Sequence, residues 1–324
     1  MVKLINRIHR KLIYEGIVQP KTNKGRKAII TYHGVDMHEN LSFNTRFFSA
    51  ASFEKQVAYY KKNYNVLNLE DFFEDKNRVV DKLNVALTFD DGYQNNLKYA
   101  LPILEKYKMP ATFFITGLNT IQEEILWADL LDLCTPHIHA AQLKYNGETF
   151  HKDAKGRFST LKEYIKTHEV AGTTLFTDLK QILLQLSGVD LSDPALFDYW
   201  KLLTDDEIRT VAKSHYVKIG SHGMYHTNLG NIPLQKASDE VLKSKHYLEN
   251  LAQYEIASIG YPDGSYSLPL ADYAATVGYK YQCACRYLFS EDTINKRIYL
   301  HDRVDVYPIS SVHYINDQVN TLSV

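Results

Sequence analysis

At 324 residues, 45% of them hydrophobic, the chain suits one large α/β domain or two modest ones. Lys plus Arg (37) nearly balance Asp plus Glu (38), for a net charge of −1, so nothing in the composition advertises a nucleic-acid partner. Three cysteines without a CxxC repeat argue against a disulfide framework or a cysteine-rich zinc site, and no apolar run is long enough to span a membrane.

Residues 1–26 read as an amphipathic helix and a Lys/Gly-rich linker. Leu4, Ile5, Ile8, Leu12 and Ile13 follow helical spacing, which suits a helix packed on its own domain. Its basic polar face also suits weak contact with a membrane surface. The segment lacks the apolar core and small-residue cleavage site of a signal peptide, so the expected location is cytoplasmic or membrane-peripheral. Ala28–Tyr32 is the first strand and delivers His33, then a polar loop with Asp36, His38 and Glu39. A His just past a strand end is well placed for chemistry in an α/β fold, and equally suits a satisfied structural role.

Ser52–Tyr64 reads as a helix, Asn65–Leu69 as a short strand and Leu69–Phe73 as a helical turn. The run Val85–Phe89 has the β-branched and aromatic content of a buried strand. It ends in two carboxylates, Asp90 and Asp91, and then Gly92. Buried charges must be paired or bound to metal, so a core strand running into two acids is a candidate site. A solvated acidic turn capping the next helix is the plainer alternative. That helix spans Tyr93–Tyr107, with a kink or break expected at Pro102. Ala111–Thr116 is the next strand.

The alternation of strand and helix to this point is that of a mostly parallel sheet or barrel. From about 120 to 203 the rhythm changes to an α-rich insertion: a helix over Ile121–Leu133, hairpin-like turns at Asn146–Gly147 and Lys155–Gly156, and helices near Leu161–Glu169 and Leu175–Leu186. His137 and His139 have metal-like spacing but no partner nearby in sequence and read as surface residues. The βα rhythm then resumes. Thr204 and Glu207 form a capping-box signature. Tyr216–Gly220 is a strand delivering SHGMYH, with His222 and His226 four residues apart. After the helix Pro233–Gln253 come the strand Glu255–Ile259, the segment GYPDGSY from Gly260, the helix Leu268–Val277 and the strand Tyr279–Cys285. Cys283 and Cys285 alternate on that strand and read as core thiols. The last strand follows Leu300 through His301, Asp302, Arg303, Val304, Asp305 and Val306. The count gives about seven βα units: an α/β fold, 27–324 as one domain, with no internal repeat.

His222 and His226 present two imidazoles on one side, and a carboxylate completes the two-His-one-acid set used for zinc and other first-row metals. Both motifs follow strand ends, which barrels place on one active face.

Together, TFDDGY at Thr88–Tyr93 and SHGMYH at Ser221–His226 resemble the first two motifs of the polysaccharide deacetylase family, the NodB-homology or family 4 carbohydrate esterase fold. The likeness runs from about Ala28 to Val306, interrupted by the insertion. Tyr32–Val35 and the Tyr-Pro-x-Gly form at Tyr261–Gly264 resemble the poly-N-acetylglucosamine and surface-glycan deacetylases. The resemblance implies a distorted, incomplete (β/α)7 barrel. It implies Asp90 as general base and Asp91, His222 and His226 as ligands of one divalent metal, zinc most commonly, with Co2+, Ni2+ or Mn2+ as alternatives. It places Tyr261 and Pro262 at the substrate, with a backbone oxyanion donor near Tyr261. The Arg that steadies the base in many members is missing from this segment, and Arg303 on the last strand is the candidate replacement. The general acid is His301, after Leu300, or His33. The implied reaction is N-deacetylation of N-acetyl-hexosamine units in a polysaccharide, oligosaccharide or glycan precursor by metal-activated water. Sugar O-deacetylation by the same site, hydrolysis of another linear amide, and an inactive glycan-binding protein are the alternatives. The 24 tyrosines agree with a sugar substrate.

Overall fold

Nine strands form one parallel sheet in the computed structural model, which describes residues 24–37, 44–168, 170, 172–285, 297–308 and 318. Residues 1–23, where the amphipathic helix is expected, lie outside the described residues. In chain order the strands are β1 (Lys27–Tyr32), β2 (Val35–Asp36), β3 (Phe48–Ser49), β4 (Tyr64–Leu67), β5 (Leu83–Phe89), β6 (Ala111–Ile115), β7 (Gln142–Tyr145), β8 (Glu148–His151), β9 (Val217–Ser221), β10 (Ser258–Gly260), β11 (Tyr281–Cys283), β12 (Leu300–His301) and β13 (Arg303–Asp305). The main sheet runs β12-β11-β10-β9-β6-β5-β1-β13. The second edge of β5 is divided, its first half pairing β4 and its last two residues β6.

The final stretch closes this sheet. Leu300 and His301 pair with β11, whereas Arg303, Val304 and Asp305 pair with β1 on the far side. One broken strand, interrupted at Asp302, thus bridges the two ends. The result is the distorted, incomplete barrel that the resemblance implies, with seven positions, the seventh shared between β12 and β13.

Every residue of β5 is buried, the pattern of a strand covered on both faces. Val85, Leu87 and Phe89 face outward into the main core, with Ala28, Ile30 and Tyr32 of β1. Ala86 joins Ile29, Phe114 and Cys283 in a smaller cluster on the other face. A period of two then places Thr88 and Asp90 on the side of Ala86. The alternation that builds the core therefore also aims Asp90 inward.

Several boundaries differ from the sequence expectation. Asn96–Ala100 is a π-helical turn followed by the helix Leu101–Tyr107, with Pro102 in its first turn, where a missing N–H costs little. The helix expected over Ile121–Leu133 is a 3-10 turn, Leu118–Ile121, and a separate helix, Trp127–Cys134. The segment between β6 and β9 has its own hydrophobic cluster, from Ile125 through Leu130, Phe150 and Leu183 to Trp200. Its two strands, β7 and β8, form an antiparallel hairpin with Asn146 (φ 48°) and Gly147 (φ 80°) at the turn.

Candidate metal centre and active site

Asp90 and Asp91 diverge because the backbone turns sharply after β5. Asp91 has φ 76° and Gly92 φ 81°, two successive residues in the left-handed region. Gly92 also has no room for a side chain, since a Cβ there would lie 2.9 Å from Ile115 Cγ2. For Asp91 the left-handed φ is strain, of order 1–3 kcal/mol for such residues, held by the surrounding structure.

The loop after β9 meets this turn. His222 and His226 lie on irregular backbone rather than on a helical turn, with His226 at φ 55° and Gly223 at φ 72°. Glu240, buried on the helix Leu234–Ala252, braces the loop by accepting from the backbone N–H groups of Met224 (3.2 Å) and Tyr225 (3.1 Å). Asp91 Oδ1 stands 3.3 Å from His222 Nε2 and 3.1 Å from His226 Nε2. All three residues are buried, and one ligand atom from each lies within 4.8 Å of the others.

The hydrogen bonding shows what this cluster fits. His222 Nδ1 donates to the Gly260 carbonyl at 2.7 Å. A neutral His222 then turns an Nε2 lone pair on a carboxylate oxygen, and two acceptors so close need a proton or a cation between them. Asp91 is held well below the ordinary carboxylate range: burial pushes it up, but His222, His226 and Arg46 outweigh burial. A permanently ionised carboxylate and two imidazole nitrogens are a fitting donor set for a divalent transition metal.

Asp90 is tied down differently. Arg303 donates from Nη1 to Oδ1 (2.7 Å) and from Nη2 to Oδ2 (2.8 Å), a bidentate pair. Arg303 Nε donates to the Ala284 carbonyl at 3.1 Å, so the guanidinium is fixed on several sides. Burial pushes the Asp90 pKa up, and Arg303, with His222, brings it below its usual value. Asp90 Oδ2 lies 3.9 Å from His222 Nε2, so the steadied carboxylate adjoins the cluster.

These groups open into a cavity of about 520 Å³ lined by His33, Asp90, Asp91, His222 and His226 on the barrel side. Trp127, Asp132 and Lys162 of the insertion line it too, as do Arg46, Asp263 and Gly264. His33 is half-buried at the cavity wall, and desolvation together with Arg46 lowers its pKa to about 4. Its Nδ1 is buried without a hydrogen-bond partner.

Other expected site residues lie elsewhere. His301 does not line this cavity. Its ring packs edge-on against Phe72 (5.1 Å) and Phe73 (5.8 Å) of the helix Leu69–Phe73. That helix shares a groove with Ala111, Lys218 and Tyr281 near the N-terminal ends of their strands, the end away from the carboxylates. Tyr261 is fully buried: its hydroxyl donates to Gln282 Oε1 (2.7 Å) and its N–H to the Cys283 carbonyl (3.0 Å), which leaves that N–H committed within the sheet. Pro262 is buried, and the segment turns Asp263 and Gly264 to the cavity instead. Arg303 is buried on Asp90 and does not line the cavity. Cys285, expected as a core thiol, is half-buried and lines the cavity.

Sequence reasoning missed Arg46, Asp129, Lys166 and Asp263. Lys166 of the insertion pairs with Asp263 at 3.2 Å. Asp129 carried a readable signal, one of two acids (with Asp132) in the largely apolar stretch Trp127–Cys134, the same sign that marks Asp90. Arg46 carried none.

Comparison with known proteins agrees with this geometry. Residues 77–282 match the polysaccharide deacetylase family. The chain belongs to that family. A curated relative is YxkH of Bacillus subtilis (strain 168), provisionally named a polysaccharide deacetylase, 22% identical over 196 residues. The match covers 60% of this chain but 42% of the relative's length. Similar solved structures include the Streptococcus pyogenes deacetylase PplD in complex with acetate, with TM-score 0.55, 18% identity, 92% of this chain and 99% of that one. IcaB from Ammonifex degensii has TM-score 0.53 at 15% identity, covering 92% and 98% of the two chains. The de-N-acetylase from Aggregatibacter actinomycetemcomitans has TM-score 0.52 at 15% identity, covering 90% and 99%. At these identities the likeness is one of fold. No helix among the described residues is long and apolar enough to cross a membrane.

Proposed function

We propose that this family member is a metal-dependent hydrolase that removes N-acetyl groups from N-acetyl-hexosamine units of a glycan. The observation that carries this reading is the convergence of Asp91, His222 and His226 beside an Arg303-steadied Asp90 in one cavity. Asp91, His222 and His226 would hold one divalent ion, zinc in the first instance. When bound, such an ion lowers the pKa of water and polarises the acetyl carbonyl.

The chain's own residues do the rest. Asp90, ionised and fixed by Arg303, takes the proton of the attacking water. His33 is neutral at physiological pH because burial and Arg46 disfavour its charge. The proton it delivers is therefore one taken up during turnover, and the water consumed in the reaction balances it. His33 passes it to the amine, the C–N bond breaks, and acetate and a free amino sugar leave. An amine departs poorly unless protonated, so a His in the cavity favours amide over ester cleavage. Trp127, largely buried in the core of the insertion, reaches the cavity wall and adds apolar surface there.

The test is release of acetate and appearance of amine on N-acetylglucosamine oligosaccharides and on O-acetylated sugars. Equal yields of acetate and amine on the N-acetyl substrates are expected. Release from the O-acetyl sugars alone would overturn the assignment.

A further inference from the structure

Behind the metal ligands lies a polar network that the reaction does not consume. Asp91 offers Oδ1 to the two imidazoles, and its other oxygen, Oδ2, lies 3.4 Å from Arg46 Nη1. Arg46 is in turn held by the insertion. Its Nη2 donates to Asp129 Oδ1 at 2.8 Å and to the Tyr93 hydroxyl at 2.9 Å. The Tyr93 hydroxyl donates to Asp129 Oδ2 at 2.7 Å, and Asn44 Nδ2 donates to Asp129 Oδ1 at 3.0 Å. Asn44 Oδ1 accepts from Arg46 Nε at 3.2 Å. Asp129 is 1% exposed, and both of its oxygens are used.

A buried carboxylate is costly, and a plain helix-to-barrel contact needs none. This one sits on the buried side of the helix Trp127–Cys134, among Leu130, Leu131 and Leu133. Of the residues it holds, Tyr93 belongs to the Asp90–Tyr93 turn, Arg46 reaches Asp91 in that turn, and Asn44 braces Arg46. The other end of the insertion grips the same turn: Leu203 N–H donates to the Gly92 carbonyl at 2.9 Å, and Leu202 forms a β-bridge with Tyr93. Both ends of the α-rich segment thus converge on the strained backbone that carries Asp91.

We propose that Asp129 is a positioning residue for the metal centre. Acting through Arg46, it fixes which oxygen of Asp91 faces His222 and His226, which makes the insertion part of the active site rather than only its wall. The inference rests on the metal-site reading above. Groups one shell out from a metal orient its ligands, and their loss typically weakens metal binding by about 10–100-fold.

The experiment is zinc affinity by competition with a chromogenic chelator, with no glycan present, for the full chain and its Asp129→Asn, Arg46→Met and double variants. Asn keeps the size of Asp but cannot ionise, whereas burial, opposed by Arg46, raises the Asp129 pKa to about 7, so zinc affinity is compared at pH 8. Each single variant should bind zinc about 10–100-fold more weakly. The double variant should be no worse than the poorer single one, because Asp129 acts through Arg46. Far-ultraviolet circular dichroism checks that each variant is folded. If Asp129→Asn does not fold, Arg46→Lys reads the same link from the barrel side, keeping the charge and losing the fork. Wild-type zinc affinity in a folded Asp129→Asn or in Arg46→Lys, or additive losses in the double variant, would overturn the proposal. A wild-type chain without affinity for zinc would overturn the metal reading as well. Failure to deacetylate a glycan touches only the reaction, since zinc affinity is read without one.

Discussion

At the scale of single residues the site works by opposing burial with charge. Asp90 and Asp91 are both buried, and each is kept ionised by cationic or imidazole partners. Replacing Arg303 by Met removes the main opposition to burial at Asp90, so the Asp90 pKa should rise. A base must be ionised to act, so the acid limb of kcat/KM should move to higher pH, with activity lost more at pH 6 than at pH 8. A parallel loss at both pH values would mean that Arg303 does not tune the base. Asp90→Asn should keep the metal yet lower turnover by ~10²–10⁴-fold, the usual weight of general acid–base catalysis. Metal loss equal to that of Asp91→Ala would reverse the roles of the two acids.

His33 gives a second residue-level outcome. With its pKa near 4, its imidazole C–H resonance should stay still between pH 8 and pH 5.5, where an ordinary His titrates. The sign for stability follows. As pH falls from about 6.5 towards 4, the unfolded chain takes up a proton that the folded one refuses, so this group makes folding less favourable over that window. In function, His33→Ala should hurt an N-acetyl substrate far more than an activated aryl acetate, whose leaving group needs no proton. His301→Ala should leave that ratio unchanged.

Elements show how much was legible beforehand. The strands carrying the chemistry could be read because buried runs end abruptly in polar residues: Val85–Phe89 in two acids, Val217–Ser221 in SHGMYH. The Thr204–Glu207 capping box is formed as its spacing predicts, with the Thr204 side chain accepting from the Glu207 N–H. Thr204→Ala should cost about 1 kcal/mol of stability, measured by urea unfolding, with zinc affinity unchanged. What could not be read depended on partners remote in sequence. Arg303 reaches Asp90 only because β13 pairs with β1, a pairing that no local pattern announces. His301 looked right by its neighbour Leu300. The two pair with β11 instead, and the His301 ring packs on Phe72 and Phe73. Arg46 and Asp129 are 83 positions apart and share no local pattern, so their contact exists only in the fold.

For the whole molecule, the barrel and the insertion keep separate hydrophobic cores yet enclose one cavity between them. Loops just past barrel strands supply Asp90, Asp91, His222 and His226, the proposed base and ligands, while the insertion supplies Trp127, Asp132 and Lys162. The proposed ligands come from strand ends far apart in the chain, Asp91 on one side and His222 and His226 on the other, so metal binding would depend on the integrity of the barrel. Zinc at about 100 times its dissociation constant should therefore stabilise the folded chain by about 2.7 kcal/mol, visible as a rise in the thermal midpoint that His222→Ala abolishes.

The most direct measurement is acetate release from N-acetylglucosamine oligosaccharides by one preparation taken through two states, stripped with a chelator and then reloaded with zinc, beside His222→Ala carried through the same steps. Activity should vanish on stripping and return on reloading in the wild-type chain, while His222→Ala stays inactive throughout. A stripped wild-type chain, shown to be metal-free, that releases acetate as fast as the reloaded one would contradict the metal centre as the seat of the reaction.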